Sequence, residues 1–354
     1  MNRALRYGKR RVKALLNRFV DLRTPEVLAA EELTILGQGE KCVLYVGSKY
    51  DYADKSRGLS YEHYHFYHTL KNAGYSLIYF PYDEFEQKYG AKKMSRMLRE
   101  ALYYYQPDIL LYYHFLDWID HEVWKEVASL PTRSIIMLGD DMLRHEETRP
   151  IWQLFNCVVT MEPKIYEKRR KEGSRNVFLA KWGVNHYLYR DLGLERVHDV
   201  VFVGQAYGQR PAIVAKLREA GINVLAFGRG WPGAKRISQS GFIKLYNQSK
   251  IVFNTHTTPK PDLIAMNARD FEAAACGSLI VTQDIPEVRE CFEVGREAVV
   301  YKDIEEAVEK IKYYLEHEQE REVIVRAGHE RVLREHTNEK KFREIFDFAE
   351  GPQK

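Results

Sequence analysis

Arg269 and Glu272 stand three residues apart in NARDFEAAACGSLIVTQDIPEV, Asn267 to Val288, a run that predicts a helix, a glycine stop at Gly277 and then a buried strand. The first turn of a helix carries unpaired N–H groups and partial positive charge, so Asn267 and Arg269 suit a diphosphate there. Glu272, nearly one turn further on, can accept hydrogen bonds from both hydroxyls of a ribose. The same residues also describe an alanine-rich core helix with an exposed Arg–Glu pair, and local spacing alone favours that plainer reading.

A second stretch, VFVGQAYGQRPAIVAKLREAG from Val201, sets strand, glycine loop and helix in the order that α/β folds use to build an anion site. Pro211 suits the first helical position, Gly204 and Gly208 permit close backbone approach, and Arg210 can grip a phosphate in a bidentate manner. Any strand-to-helix turn needs glycine, so structural and functional readings are evenly matched here. GRGWPG, Gly228 to Gly233, fits the dinucleotide pattern GxGxxG in form only. No apolar helix follows it, and no acid lies about 20 residues on to hold a ribose. Gly228 and Arg229 remain candidates for a turn beside a nucleotide's base or phosphate.

In the first half, Asp140 and Asp141 end the run SIIMLGDDM, and His114 ends the strand candidate in LLYYHFLDW. Carboxyl ends of parallel strands face the ligand crevice, which makes these three the acid, base or acceptor-binding candidates. Asp141 serves equally as a helix cap. His63, His65 and His68 cluster in sequence, but on an α-helix His63 and His65 point about 200° apart, leaving only His65 and His68 as neighbours. No metal site is expected from them.

These residues need elements to position them, and the chain supplies alternating apolar runs and helical stretches, the mark of parallel α/β structure. Strand candidates begin at Cys42, Tyr75, Asp108, Ser134, Cys157 and Asn176, then at Val200, Asn223, Lys250, Ser278 and Ala298. Their near-continuous apolar character implies burial on both faces. Lys181 to Asp199 has no clear period and reads as the interdomain linker. The 354 residues therefore divide into two Rossmann-like domains, with boundaries at 1–40 for a lead-in arm, 41–185, 186–337 and 338–354 for a C-terminal helix free to cross back to the first domain.

Composition, 45% apolar and 29% charged, is that of an ordinary globular chain. No apolar run reaches the roughly 20 residues of a membrane span, and the start lacks a secretory signal, so a cytoplasmic protein is expected. Four widely spaced cysteines without CxxC pairing read as free thiols. Residues 1–23 hold eight basic side chains against one acid, a net of +7 within a total of +4, so the remainder is net negative. That confinement removes support for sequence-specific nucleic-acid binding, which needs a broad basic stripe. The arm combines helical apolar spacing with basic residues. It reads either as an interfacial helix on an anionic membrane's inner face or as a helix packed on the protein body.

The arrangement RDFEAAACGSLIVTQDIPEVRECFEVGREAVVYKDIEEAVEKIKYYLEHEQEREVIVRAGHERVLREHT resembles the C-terminal half of GT-B glycosyltransferases, and among them the CgeB-like group associated with spore and cell-surface glycosylation. The likeness is close from about Asp199 to Thr337 and weaker in the first half, through GLSYEHYHFYHTLKNAGY, MLGDDM and VTMEP…NVFLAKWGVN. It implies two domains facing across a cleft, with 41–185 taking an acceptor and 186–337 a nucleotide-diphosphate sugar. It also implies that Glu272 holds the ribose, that Arg269 and Asn267 face the diphosphate, and that no metal or separate cofactor is needed. Retaining relatives carry a second glutamate eight residues before the ribose glutamate, where this chain has Ile264. The function expected is sugar transfer to an unidentified acceptor hydroxyl. The alternatives are a nucleotide-sugar epimerase on the same fold and a non-catalytic spore-coat or scaffold protein.

Overall fold

A computed structural model describes residues 33–139, 141–233, 237–258 and 264–351. The basic arm 1–23 and Asp140 lie outside the described residues. The chain divides into two compact units: one runs up to Ala180 and resumes at Lys341, and the other is Lys181–Lys340.

Unit 1 is built on β1 (Thr34–Leu36), β2 (Cys42–Gly47), β3 (Ser76–Pro81), β4 (Ile109–His114), β5 (Arg133–Leu138), β6 (Cys157–Thr160) and β7 (Val177–Leu179). They lie in the order β1-β3-β2-β4-β5-β6-β7, parallel except for β1, which runs antiparallel to β3. The six parallel strands fall where the apolar runs predicted them. β1 was not expected, because three residues of strand leave too short a pattern to read. Alternate residues of each strand enter opposite cores: Leu44, Val46, Ile78, Phe80, Leu110 and Tyr112 face one way. Val43, Tyr45, Leu77, Tyr79, Ile109 and Leu111 face the other. This is the two-sided burial that continuous apolar strands demand.

The helices of unit 1 are α1 (His68–Asn72), α2 (Tyr82–Tyr89), α3 (Ala91–Tyr105), α4 (His121–Val127), α5 (Asp141–Trp152) and α6 (Pro163–Lys171). A π-helical turn, His63–Tyr67, leads into α1. It overturns the α-helical expectation for the histidines. With hydrogen bonds to the fifth residue, His63 and His68 become neighbours, ring centroids 5.1 Å apart, while His65 stacks on Tyr61 at 4.0 Å.

Unit 2 carries β8 (His198–Val203), β9 (Val224–Phe227), β10 (Ser249–Asn254), β11 (Leu279–Gln283) and β12 (Val299–Tyr301), all parallel, in the order β12-β11-β10-β8-β9. Among its helices are α7 (Arg210–Glu219), α8 (Gln239–Asn247), α9 (Arg269–Ala275), α10 (Pro286–Cys291), α11 (Ile304–Glu316) and α12 (Glu318–Glu335). Gly277, at φ +72°, ends α9 as expected, with Ser278 N–H donating to the Ala273 carbonyl and Gly277 N–H to the Ala274 carbonyl. The segment 181–199, expected as a linker, is instead part of this unit: Val184 and Tyr189 are buried in its core. Asn247 pins it further by accepting from Leu192 N–H and donating to the Arg190 carbonyl. A last helix, α13 (Asn338–Glu350), places Phe342, Ile345, Phe346 and Ala349 in a core of unit 1.

Candidate functional site

In unit 2 the chain passes from β8 outward to β9 and then back across to β10, so the strand order reverses between β8 and β10. Open parallel sheets bind ligands at such a reversal, outside the carboxyl ends of the two strands. Arg210 spans it. From the start of α7, after β8, its Nε donates to Thr257 Oγ1 at 3.2 Å and its Nη2 to the Thr257 carbonyl at 2.8 Å, just after β10. Nη1 donates to the Gln205 carbonyl at 3.3 Å, and the guanidinium lies 4.0 Å from the Tyr207 ring centroid. Those three bonds leave two of its five N–H donors for something else.

Arg210 is almost completely buried, yet among the described residues it has no carboxylate partner. Burial, reinforced by the charge of Arg269, pushes its pKa down to about 10. The charge of Arg269 is felt at the buried Arg210, and no described carboxylate pairs with either guanidinium, an arrangement whose charge suits an anion. Glycines make the room. A Cβ at Gly204 would come within 3.1 Å of Arg210 Nη1, and one at Gly228, where φ is +135°, would run into the Gly204 carbonyl. The Gly204 carbonyl itself accepts from Trp231 Nε1 at 2.7 Å. GRGWPG is therefore a turn laid tightly on the β8 loop. Arg229 within it is exposed, its Nη2 donating to Gln205 Oε1 at 3.5 Å.

Arg269 opens α9. Its Nη1 donates to Asn254 Oδ1 at 2.8 Å, and Asn254 Nδ2 donates onward to Asp270 Oδ1 at 2.8 Å. Asp270 Oδ2 also accepts from Thr282 Oγ1 at 3.2 Å and lies 3.3 Å from His256 Nε2. Asn267, expected at the anion, is turned inward. Its Oδ1 caps Arg269 N–H at 3.2 Å, and its Nδ2 donates to His256 Nδ1 at 3.1 Å. Since Nδ1 accepts, the His256 proton is assigned to Nε2, facing Asp270 and Thr282. Gln283 Oε1 accepts from His256 N–H and Thr255 Oγ1, both at 3.1 Å, tying this loop to the end of β11. Glu272 is buried on α9.

Sequence reading missed Asn254, His256, Asp270 and Thr282. The only signal for Asn254, His256 and Thr282 was polar residues, NTH and TQ, closing two otherwise apolar strands, and Asp270 sits unremarked within NARDF.

In unit 1 the order reverses between β2 and β4. His114 does close β4, buried, with Nδ1 2.8 Å from the Tyr112 hydroxyl. Burial, then the charge of Arg144, pushes its pKa down to about 4, so the imidazole is neutral near pH 7. Asp141 is engaged in a buried bidentate pair, with Arg169 Nη1 donating to Oδ2 at 2.7 Å and Nη2 to Oδ1 at 2.8 Å. The sequence hid this partner, 28 positions away on α6. Another acid, Glu62, lies buried next to the π turn. Burial, with Asp51 and Asp83 adding their charge, raises its pKa to about 7. Among the described residues no group of three or more His, Cys, Asp or Glu is placed to hold a metal ion. Nor is any described helix long and apolar enough to cross a membrane.

Comparison with known proteins agrees with this frame. Residues 209–347 match the family model described as glycosyl transferase-like. The spore protein CgeB of Bacillus subtilis is 21% identical over 243 residues, 61% of this chain and 74% of that protein. A sucrose-phosphate synthase from Thermosynechococcus elongatus superposes with a TM-score of 0.58 at 12% identity, covering 86% of this chain and 99% of its own. Anabaena HepE, solved with UDP and glucose, gives 0.55 at 14% identity over 86% of this chain and 98% of its own. Residues 209–347 are thus a glycosyl transferase-like domain, in a chain that has the fold of the GT-B glycosyltransferases and a sequence relative in CgeB.

Proposed function

We propose that the protein transfers a sugar from a nucleoside-diphosphate sugar to an acceptor hydroxyl, with Arg210 and Arg269 holding the diphosphate. The observation that carries this reading is the pair of guanidiniums without described carboxylate partners at the strand-order reversal of unit 2. In the transfer, the acceptor O–H bond gives up its proton and the oxygen bonds the anomeric carbon. The bond from that carbon to the diphosphate breaks, leaving both electrons on the nucleoside diphosphate. Charge therefore grows on the leaving phosphate, and fixed guanidiniums stabilise it without reorganising. We include metal independence in the proposal, because the two arginines supply the positive charge that a cation would otherwise bring.

Glu272, on the helix that Arg269 opens, is assigned to the ribose by the family resemblance. Ile264, 47% exposed, offers no carboxylate to the transferred sugar. The relative solved with UDP and glucose supports the donor class.

The test is titration of the full chain with UDP, ADP and GDP, followed by incubation with the corresponding sugar nucleotides. Binding of one diphosphate and slow release of free sugar from its donor is the expected result. Inversion at C2 of the donor sugar would replace transfer with epimerisation. Binding without turnover would leave a scaffold, and no binding at all would remove the nucleotide reading.

A further inference from the structure

Arg269 is followed in sequence by a buried acid, Asp270, yet the two side chains do not pair; Asn254 stands between them. One amide makes both contacts, its oxygen 2.8 Å from Arg269 Nη1 and its nitrogen 2.8 Å from Asp270 Oδ1. A guanidinium only donates and a carboxylate only accepts, so a side chain that bridges them must offer one acceptor and one donor at once. Asparagine does this at the length available. The orientation of the amide is set from a second side, since Nδ2 also points at Asn267 Oδ1 at 3.2 Å. Asp270 is meanwhile occupied from the far side by Thr282 and His256.

We infer that Asn254 is a positioning residue that insulates Arg269 from Asp270, so that the arginine keeps its charge for a diphosphate ligand. Had the carboxylate reached the guanidinium, the pair would have been satisfied internally and the charge that Arg269 adds to that of Arg210 cancelled. The end of β10 fixes where Asn254 sits, and the Tyr301 hydroxyl holds that end by donating to the Asn254 carbonyl at 2.9 Å. The network thus turns Asp270 towards the amide, Thr282 and His256 rather than towards Arg269.

This inference rests on the diphosphate reading, so the probes are UDP and inorganic pyrophosphate, titrated calorimetrically into the full chain. Asn254→Ala removes the insulator, and affinity for the bound probe is expected to fall about tenfold, the worth of one charge-assisted contact. Adding Asp270→Asn removes the competing charge. The double variant is expected to recover to within about threefold of the parent, within the scatter of such coupled pairs. A purely structural role predicts the opposite, a double variant weaker than the single.

Parent-like affinity in Asn254→Ala, or no recovery in the double variant, overturns the inference while leaving the diphosphate reading intact. If the alanine protein loses its cooperative melt, Asn254→Asp keeps the side chain's size and sets a carboxylate directly on Arg269; parent-like affinity there overturns the inference as well. A parent that binds pyrophosphate but not UDP refutes the nucleotide reading alone, and the variants are then compared on pyrophosphate. A parent that binds neither probe refutes both.

Discussion

At the carboxyl end of β2 in unit 1, the loop Ser48–Tyr50 is gathered by a carboxylate, whereas at the carboxyl end of β8 in unit 2 the loop is gathered by a guanidinium. Asp83, buried, accepts from Ser48 Oγ at 3.0 Å and from the Lys49 and Tyr50 N–H groups at 2.8 Å each. Arg210 does the mirror-image work, donating to the Gln205 and Thr257 carbonyls. Both loops lie where the strand order of a parallel sheet reverses. The geometry is shared and the charge is opposite. Asp83 and Glu62 place buried acidic groups at unit 1's reversal point, where Asp51 is paired with Arg57 and Lys49 with Glu84, each at 2.8 Å. Fold alone therefore does not assign the ligand, and the two reversals differ in the sign of the buried side chain that gathers the loop.

The largest expected effect separates a structural acid from a catalytic one. Asp141→Ala leaves Arg169 buried and uncompensated, and should cost about 3–5 kcal/mol of stability in denaturant unfolding. Retained stability with lost transfer would return Asp141 to catalysis and weaken the contrast between the two units.

Next in size, Arg269→Gln should weaken binding of the nucleoside diphosphate by roughly 1.5–3 kcal/mol, about ten- to a hundredfold, with the melting temperature little changed. Unchanged calorimetric affinity for every nucleotide the parent binds would make α9 a core helix and nothing more.

A pH series sharpens the comparison from unit 1. Unfolded, Glu62 ionises near 4.5, and folded it keeps its proton up to about 7, so the folded state binds more protons across that window and stability falls as pH rises through it. Glu62→Gln should match the parent near pH 4.5 and exceed it by roughly 1–3 kcal/mol at pH 8. Diphosphate affinity, seated in unit 2, should not move. His63 and His114 act in the other sense: burial lowers them from 6.5 to about 3 and about 4, so each costs stability as pH drops through its window. Because these contributions oppose one another in the parent, the reading is the difference between Glu62→Gln and parent, and a difference that does not grow between pH 5 and 8 would contradict the charge pattern drawn for unit 1.

The smallest expected effect is none. Donor hydrolysis in a chelator should equal that in its absence if Arg210 and Arg269 carry the leaving charge, and a loss restored by a divalent cation would reassign that role.

Much of this molecule was legible one segment at a time. Strands such as Val43–Val46 and Ile251–Phe253 announce themselves because burial on both faces requires an unbroken apolar run. Gly277 marks the end of α9 because a left-handed cap favours glycine. Arg269 and Glu272 were visible as candidates since both lie on one short helix. Other features were decided only when distant segments met. Asn254, Asn267, Asp270 and Thr282 come from two strand ends and a helix start, and no window of sequence contains the hydrogen bonds that join them. Asp141 looked like a strand-end acid until Arg169 arrived from α6. Asn267 looked like a ligand contact until His256 claimed its amide. Secondary structure follows local periodicity, which the sequence states outright. Whether a polar side chain serves the ligand or the fold depends on which partner reaches it first in space, and that is settled by tertiary packing.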